Sequence, residues 1–128
     1  MIAHVFTSEG VVAVDAEDGA VLGEPREPTE PERIDVPLPR VVAAASAGST
    51  VVAVVDRRPP LLVSHDGGAT WSEAGRGLPP GFAVAVDADD PDRILYGARN
   101  RLYLSTDGGR FWRNLELELP DVQALAWA

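Results

Sequence analysis

Ser64-His65-Asp66-Gly67-Gly68-Ala69-Thr70-Trp71 returns as Ser105-Thr106-Asp107-Gly108-Gly109-Arg110-Phe111-Trp112, 41 residues further along (64 to 105). The flanks repeat with it, since Leu61-Leu62-Val63 precedes the first copy and Leu102-Tyr103-Leu104 the second. A period of about 40–45 residues belongs either to helical repeats or to four-stranded propeller blades. The stretches between the copies decide for strands. They are short apolar runs separated by Gly, Pro, Asn and Asp, with no 3.6-residue amphipathic pattern. Strands are predicted over 2–7, 11–15, 20–23, 41–45, 50–55, 60–64, 71–73, 82–87, 93–97, 101–105, 111–117 and 121–127.

The repeated octapeptide has a physical reason to be a turn. A short carboxylate such as Asp66 or Asp107 accepts backbone N–H groups of its own turn, and glycine supplies positive φ. The tryptophan that follows opens the next strand and buries a large ring at small entropic cost. A weaker third copy occupies 11–20, where Asp15, Glu17 and Gly19 align with Ser64, Asp66 and Gly68. Its offset of 49 (15 to 64) exceeds the other by eight, and the excess is assigned to the proline- and acid-rich surface stretch 23–33.

These residues resemble the Asp-box, Ser-x-Asp-x-Gly-x-Thr-Trp, of the repeat family found in bacterial sialidases, sortilin-type receptors and photosystem assembly factors of propeller type. The first copy has Ser64, Asp66, Gly68, Thr70 and Trp71 in place. The second keeps Ser105, Asp107, Gly109 and Trp112 but has Phe111 where threonine is expected. The resemblance implies an all-β propeller fold, with each box on the hairpin between the third and fourth strands of a blade, away from the central face where propellers bind ligands. The box residues are accordingly expected to be structural.

With blade strands lettered A to D from the inside, residues 1–128 read as one repeat domain. Strands B–D of blade 1 cover about 1–33, with a loop at 23–40. Blade 2 covers about 41–80, blade 3 about 81–120, and strand A of a further blade 121–128. Three four-stranded antiparallel blades, circularly permuted, are too few for a ring, since propellers have four to eight. Open blade edges are an aggregation hazard. The expectation is therefore closure between copies, a homodimer of six blades in which each C-terminal strand joins the other chain's B-C-D by strand exchange. Ile2, Val5, Val122, Ala124, Leu125 and Trp127 are the closure residues. A trimer, a related partner chain or a longer parent chain remain alternatives.

Composition narrows the function. The formal charge is −9, from 20 acids against 11 bases, and no base is a lysine. Such a surface suits a high-salt cytoplasm or reflects biased codon usage, and it repels a phosphate backbone, which argues against nucleic acid. There is no cysteine, so disulfides, thiolate metal sites and cysteine nucleophiles are excluded. No apolar run approaches the roughly 20 residues of a membrane span. The start, Met1 to Val5, lacks a basic, apolar leader, so a cytoplasmic protein is expected.

Candidate chemistry is sparse. Arg57, Arg58 and Arg99 fall in the B-to-C loops, on the ligand face of a propeller, and as a ring they would gather a carboxylate or phosphate. The bland alternative is solvated arginines paired with nearby acids. Asp87-Ala88-Asp89-Asp90-Pro91-Asp92 invites a calcium reading, but it lacks the spacing and glycine of an EF-hand loop and suits a turn. Tyr96 and Tyr103 read as packing residues, and His4 and His65 have no visible zinc or triad partners. The arginine triad, the Tyr/Glu pair and the Phe-Arg-Ile-Pro signature of sialidases are not recoverable; the nearest string, Glu32-Arg33-Ile34-Asp35-Val36-Pro37, departs from it. The expected function is a noncatalytic binding or scaffolding propeller, without cofactor, for a protein segment or small anion. A glycan-processing hydrolase assembled in the oligomer and a minimal building unit without a ligand are the alternatives.

Overall fold

Short, nearly continuous apolar runs, broken by glycine, proline or aspartate, give twelve strands in the computed structural model, which describes all 128 residues. They are β1 (Ile2–Thr7), β2 (Gly10–Asp15), β3 (Ala20–Gly23), β4 (Val41–Ala47), β5 (Thr50–Val55), β6 (Leu61–Ser64), β7 (Ser72–Ala74), β8 (Gly81–Val86), β9 (Ile94–Ala98), β10 (Leu102–Ser105), β11 (Arg113–Asn114) and β12 (Val122–Trp127). No residue is helical, and no helix is long and apolar enough to cross a membrane. The strands form three four-stranded sheets, β12-β1-β2-β3, β4-β5-β6-β7 and β8-β9-β10-β11, antiparallel throughout.

The β8–β11 sheet sits in the middle, because alternate residues of its strands face opposite ways. Ala83, Ala85, Leu95, Leu102 and Leu104 pack on Ala3, Val5 and Val14 of the first sheet, with Val122 and Leu125. Val84, Val86, Ile94 and Tyr96 pack on Val52, Val54, Leu61 and Val63 of the β4–β7 sheet. The Tyr96 hydroxyl donates to the Pro79 carbonyl at 2.6 Å, and its ring meets Tyr103 and Trp112 edge-on at 6.3 and 5.9 Å. Burial, and then the Tyr103 phenol, push its ionisation well above the ordinary range. A Cβ on Gly81 would collide with that hydroxyl, so only glycine fits there. The innermost strands of the two flanking sheets, β4 and β12, each contact β8 but not each other, so the three sheets form an arc open on one side.

Within one chain the C-terminal strand closes the first sheet itself. β12 pairs with β1 of its own chain, with Ala3 opposite Trp127, Val5 opposite Leu125, Phe6 opposite Ala124 and Thr7 opposite Val122. The Ala128 N–H donates to the Ile2 carbonyl, and the Trp127 indole N–H to Ala85 of β8 at 3.2 Å. Closing a sheet needs only that β12 reach β1; it does not need a complete ring. One expectation is corrected: the 111–117 strand shrinks to Arg113–Asn114. The Asn114 side chain accepts the Glu116 N–H, Glu116 takes φ 58°, and Leu115 turns into the core.

The segment 24–40 is more than a surface loop. Seventeen residues separate β3 from β4, against six at 75–80 and seven at 115–121. The Thr29 N–H donates to His4 Nδ1 at 2.9 Å on β1, which requires that ring nitrogen to be unprotonated. Glu32 accepts from Ser46 Oγ at 2.8 Å and Ser46 N–H at 3.3 Å on β4. Ile34, Val36 and Leu38, alternate residues, then lie on Ala44, Ala53, Val55 and Leu62, the side of the β4–β7 sheet turned away from β8–β11. The segment is a strap across the open side of the arc.

Candidate functional site

The two octapeptides adopt the same turn. In the first, Ser64 Oγ donates to Asp66 Oδ1 at 2.7 Å and accepts the Gly68 N–H at 2.8 Å. Asp66 Oδ1 accepts the Thr70 N–H at 2.8 Å, and its Oδ2 the Thr70 hydroxyl at 2.6 Å. The second repeats this with Ser105 and Asp107, Ser105 Oγ accepting the Gly109 N–H at 2.9 Å. Asp107 Oδ1 takes the Arg110 and Phe111 N–H groups, each at 3.1 Å. The Thr70 hydroxyl, helped by the Thr70 N–H and Ser64, lowers Asp66 to a pKa of about 2. Asp107 is lowered chiefly by the Phe111 N–H, with smaller help from Ser105 and the Arg110 N–H. Both carboxylates are therefore committed to their own turns as anions. Trp71 and Trp112 stand one residue before β7 and β11, Trp71 against the strap-covered side of its sheet and Trp112 between two sheets.

The weaker copy holds its turn differently. Asp15 itself accepts the Glu17 and Asp18 N–H groups at 3.0 and 3.4 Å, while its carbonyl takes the Gly19 N–H. Gly19 lies where a Cβ would meet the Leu115 carbonyl oxygen at 2.6 Å, and Arg113 donates to the Ala16 and Glu17 carbonyls. Contacts with the neighbouring sheet thus hold a turn whose own acceptor set is incomplete.

The loop arginines lie in two turns, β5–β6 and β9–β10. Arg57 and Arg58 are exposed in the turn between β5 and β6, Arg58 beside Tyr103, Leu78 and Pro79. Arg99 is 3.5 Å from Asp121. In the aspartate-rich turn, Asp87 and Asp90 accept the Asp89 and Asp92 N–H groups, and Asp87 pairs with Arg93 at 2.8 Å. His65 lines a cleft of about 910 Å³ between the two octapeptide turns, whose walls are glycine backbone and side chains of both charges, with Asp107 already bonded.

The convergent feature lies on the inner strands. β4, β8 and β12 each carry a bulge at their second residue. Val41 faces Val55 and Ala43 faces Val54; Gly81 faces Ala98 and Ala83 faces Gly97; Val122 faces Thr7 and Ala124 faces Phe6. Val42, Phe82 and Gln123 are thus left without a partner residue, and a bulge re-aims the side chain it carries. All three line one groove of about 330 Å³, whose fourth side is the strap with Glu32, Arg33 and Ile34. Val42 is 47% and Phe82 45% exposed, unusual for apolar residues of inner strands. Glu32 is bonded to Ser46, whereas Arg33 is exposed and takes part in none of the four ion pairs. The groove therefore offers an apolar floor, one amide and one unpaired cation. Sequence reasoning missed these residues, although positions 42, 82 and 123 recur at the repeat period and Ile34, Val36 and Leu38 alternate.

No protein-family model and no curated protein matches the chain. Among solved structures it is similar to the crystal structure of the GH74 enzyme of Niastella koreensis, with 25% identity and a TM-score of 0.54. That neighbour is a propeller-type glycoside hydrolase. The fold is propeller-like. The match covers 94% of this chain and 18% of that chain, so this chain corresponds to under a fifth of the enzyme.

Proposed function

We propose that the chain is a noncatalytic binding module of propeller type, taking a small apolar carboxylate in the groove between Val42, Phe82, Gln123 and Arg33. The coincident bulges support this reading most, since three inner strands independently turn one side chain each toward the same space. Arg33 would supply a charge-assisted bond to the carboxylate, and Phe82 and Val42 the apolar contact. The octapeptide turns act as Asp-box-type locks outside this site. Titration with 3-phenylpropionate, followed by amide chemical shifts and calorimetry, tests it. Saturable binding that Arg33→Ala and Phe82→Ala each weaken at least tenfold is expected, about 1.4 kcal/mol. Equal affinity for 3-phenylpropan-1-ol, or no binding, contradicts it.

A second reading, glycan hydrolysis, is favoured by the likeness to a glycoside hydrolase. Such chemistry uses two carboxyl groups about 5–9 Å apart. The groove contributes one, Glu32, already engaged by Ser46. Release of reducing ends from a soluble β-glucan, abolished by Glu32→Gln, would replace the binding reading with this one.

A further inference from the structure

We infer that the free sides of the first and second sheets form a latent interface for a second copy of this chain, and that the strap 24–40 holds it shut. Each sheet has two sides. The middle sheet has a sheet against both, whereas β12-β1-β2-β3 and β4-β5-β6-β7 each have one side that no sheet covers. On the first, His4, Phe6, Val11 and Ala13 alternate with the core residues Ala3, Val5, Val12 and Val14. On the second, Ile34, Val36 and Leu38 of the strap, together with Trp71, lie on Ala44, Ala53, Val55 and Leu62 in place of a sheet. These two sides are the ones that would meet if the arc continued into a ring.

The strap's length carries the inference. Six or seven residues are enough to pass from the outer strand of one sheet to the inner strand of the next, at 75–80 and 115–121. The third such connection has seventeen because the two sheets it joins are not neighbours within one chain. It must reach His4 on β1, cross to Ser46 at the far end of β4, and run back along β4 to Val41. Seven extended residues reach only about 25 Å. In a six-bladed ring of two copies, within the usual range of four to eight, the same two sheets would be neighbours and seven residues would suffice. There, β12 of each copy would pair with β1 of the other, by the register it makes within one chain.

Deleting residues 24–33 leaves seven, 34–40, and removes the Thr29 and Glu32 anchors. Light scattering should then give twice the mass of the shortened chain, which is ten residues lighter than the 13.6 kDa of the full chain, with unchanged strand content by circular dichroism. Because the chain has no cysteine, Phe6→Cys with Ala124→Cys reports the pairing: in the shortened chain the disulfide should link two chains. A folded shortened chain of single mass, or a disulfide within each chain, overturns the inference. If the deletion does not fold, Ile34→Asp with Leu38→Asp at full length should uncover the same side and yield the double mass. A folded monomer, or loss of fold here too, overturns it equally.

Discussion

The two sides of the β4–β7 sheet are covered in different ways. One side meets a whole sheet through Val52, Val54, Leu61 and Val63; the other meets three strap residues and the Trp71 ring. Consecutive residues of β6 sample both, since Leu61 faces β8–β11 and Leu62 faces the strap. The difference teaches that the strap takes the place of a missing neighbour. A sheet contact is held by ladders on both partners, whereas an extended segment has few bonds of its own and moves to fill or leave a gap. Leu61→Ala should therefore cost about 2–5 kcal/mol in chemical denaturation, because its surroundings are fixed and a cavity remains. Leu62→Ala should cost about 1–2 kcal/mol, because the strap settles inward. Equal losses would break the distinction between the two sides.

A smaller effect sharpens a parallel contrast between the two octapeptide turns, which differ at Thr70 and Phe111. Thr70 gives Asp66 a hydroxyl bond that exposed Phe111 cannot give Asp107. Because Asp66 is held at about 2, below the ordinary carboxylate value, its turn bonds stabilise the fold fully above roughly pH 4. That contribution is lost as the pH falls toward 2. Carboxyl carbon titration by NMR should show Thr70→Val raising the Asp66 midpoint and Phe111→Thr lowering that of Asp107. An unmoved Asp66 midpoint in Thr70→Val would assign its shift to the backbone alone.

Much of this architecture is legible in the residues. The twice-repeated octapeptide sets the period, and the apolar runs around it place every strand, because turn chemistry and alternation are local properties. What stayed hidden depends on relations between distant segments. Ile34, Val36 and Leu38 alternate as a covering strand would, but nothing in Pro25 to Pro39 says which sheet they cover or that Thr29 and Glu32 bond to His4 and Ser46. The bulges at Val42, Phe82 and Gln123 belong to strand pairing, not to the residues themselves, so the groove could not be read in advance. Of the arginines chosen by loop position, Arg58 lines a separate cleft and Arg99 lies by Asp121, while Arg33, placed by the strap, lines the groove.

Closure of the first sheet by the chain's own last strand, with the strap standing where a further sheet would pack, is most directly tested by a disulfide in the full-length chain. Phe6 and Ala124 face each other across β1 and β12. Oxidised Phe6→Cys/Ala124→Cys protein, at full length and at any concentration, should run as a single chain on a non-reducing gel, its bond confirmed by mass spectrometry of the linked peptides. A covalent dimer joined through the same two positions would contradict closure within the chain.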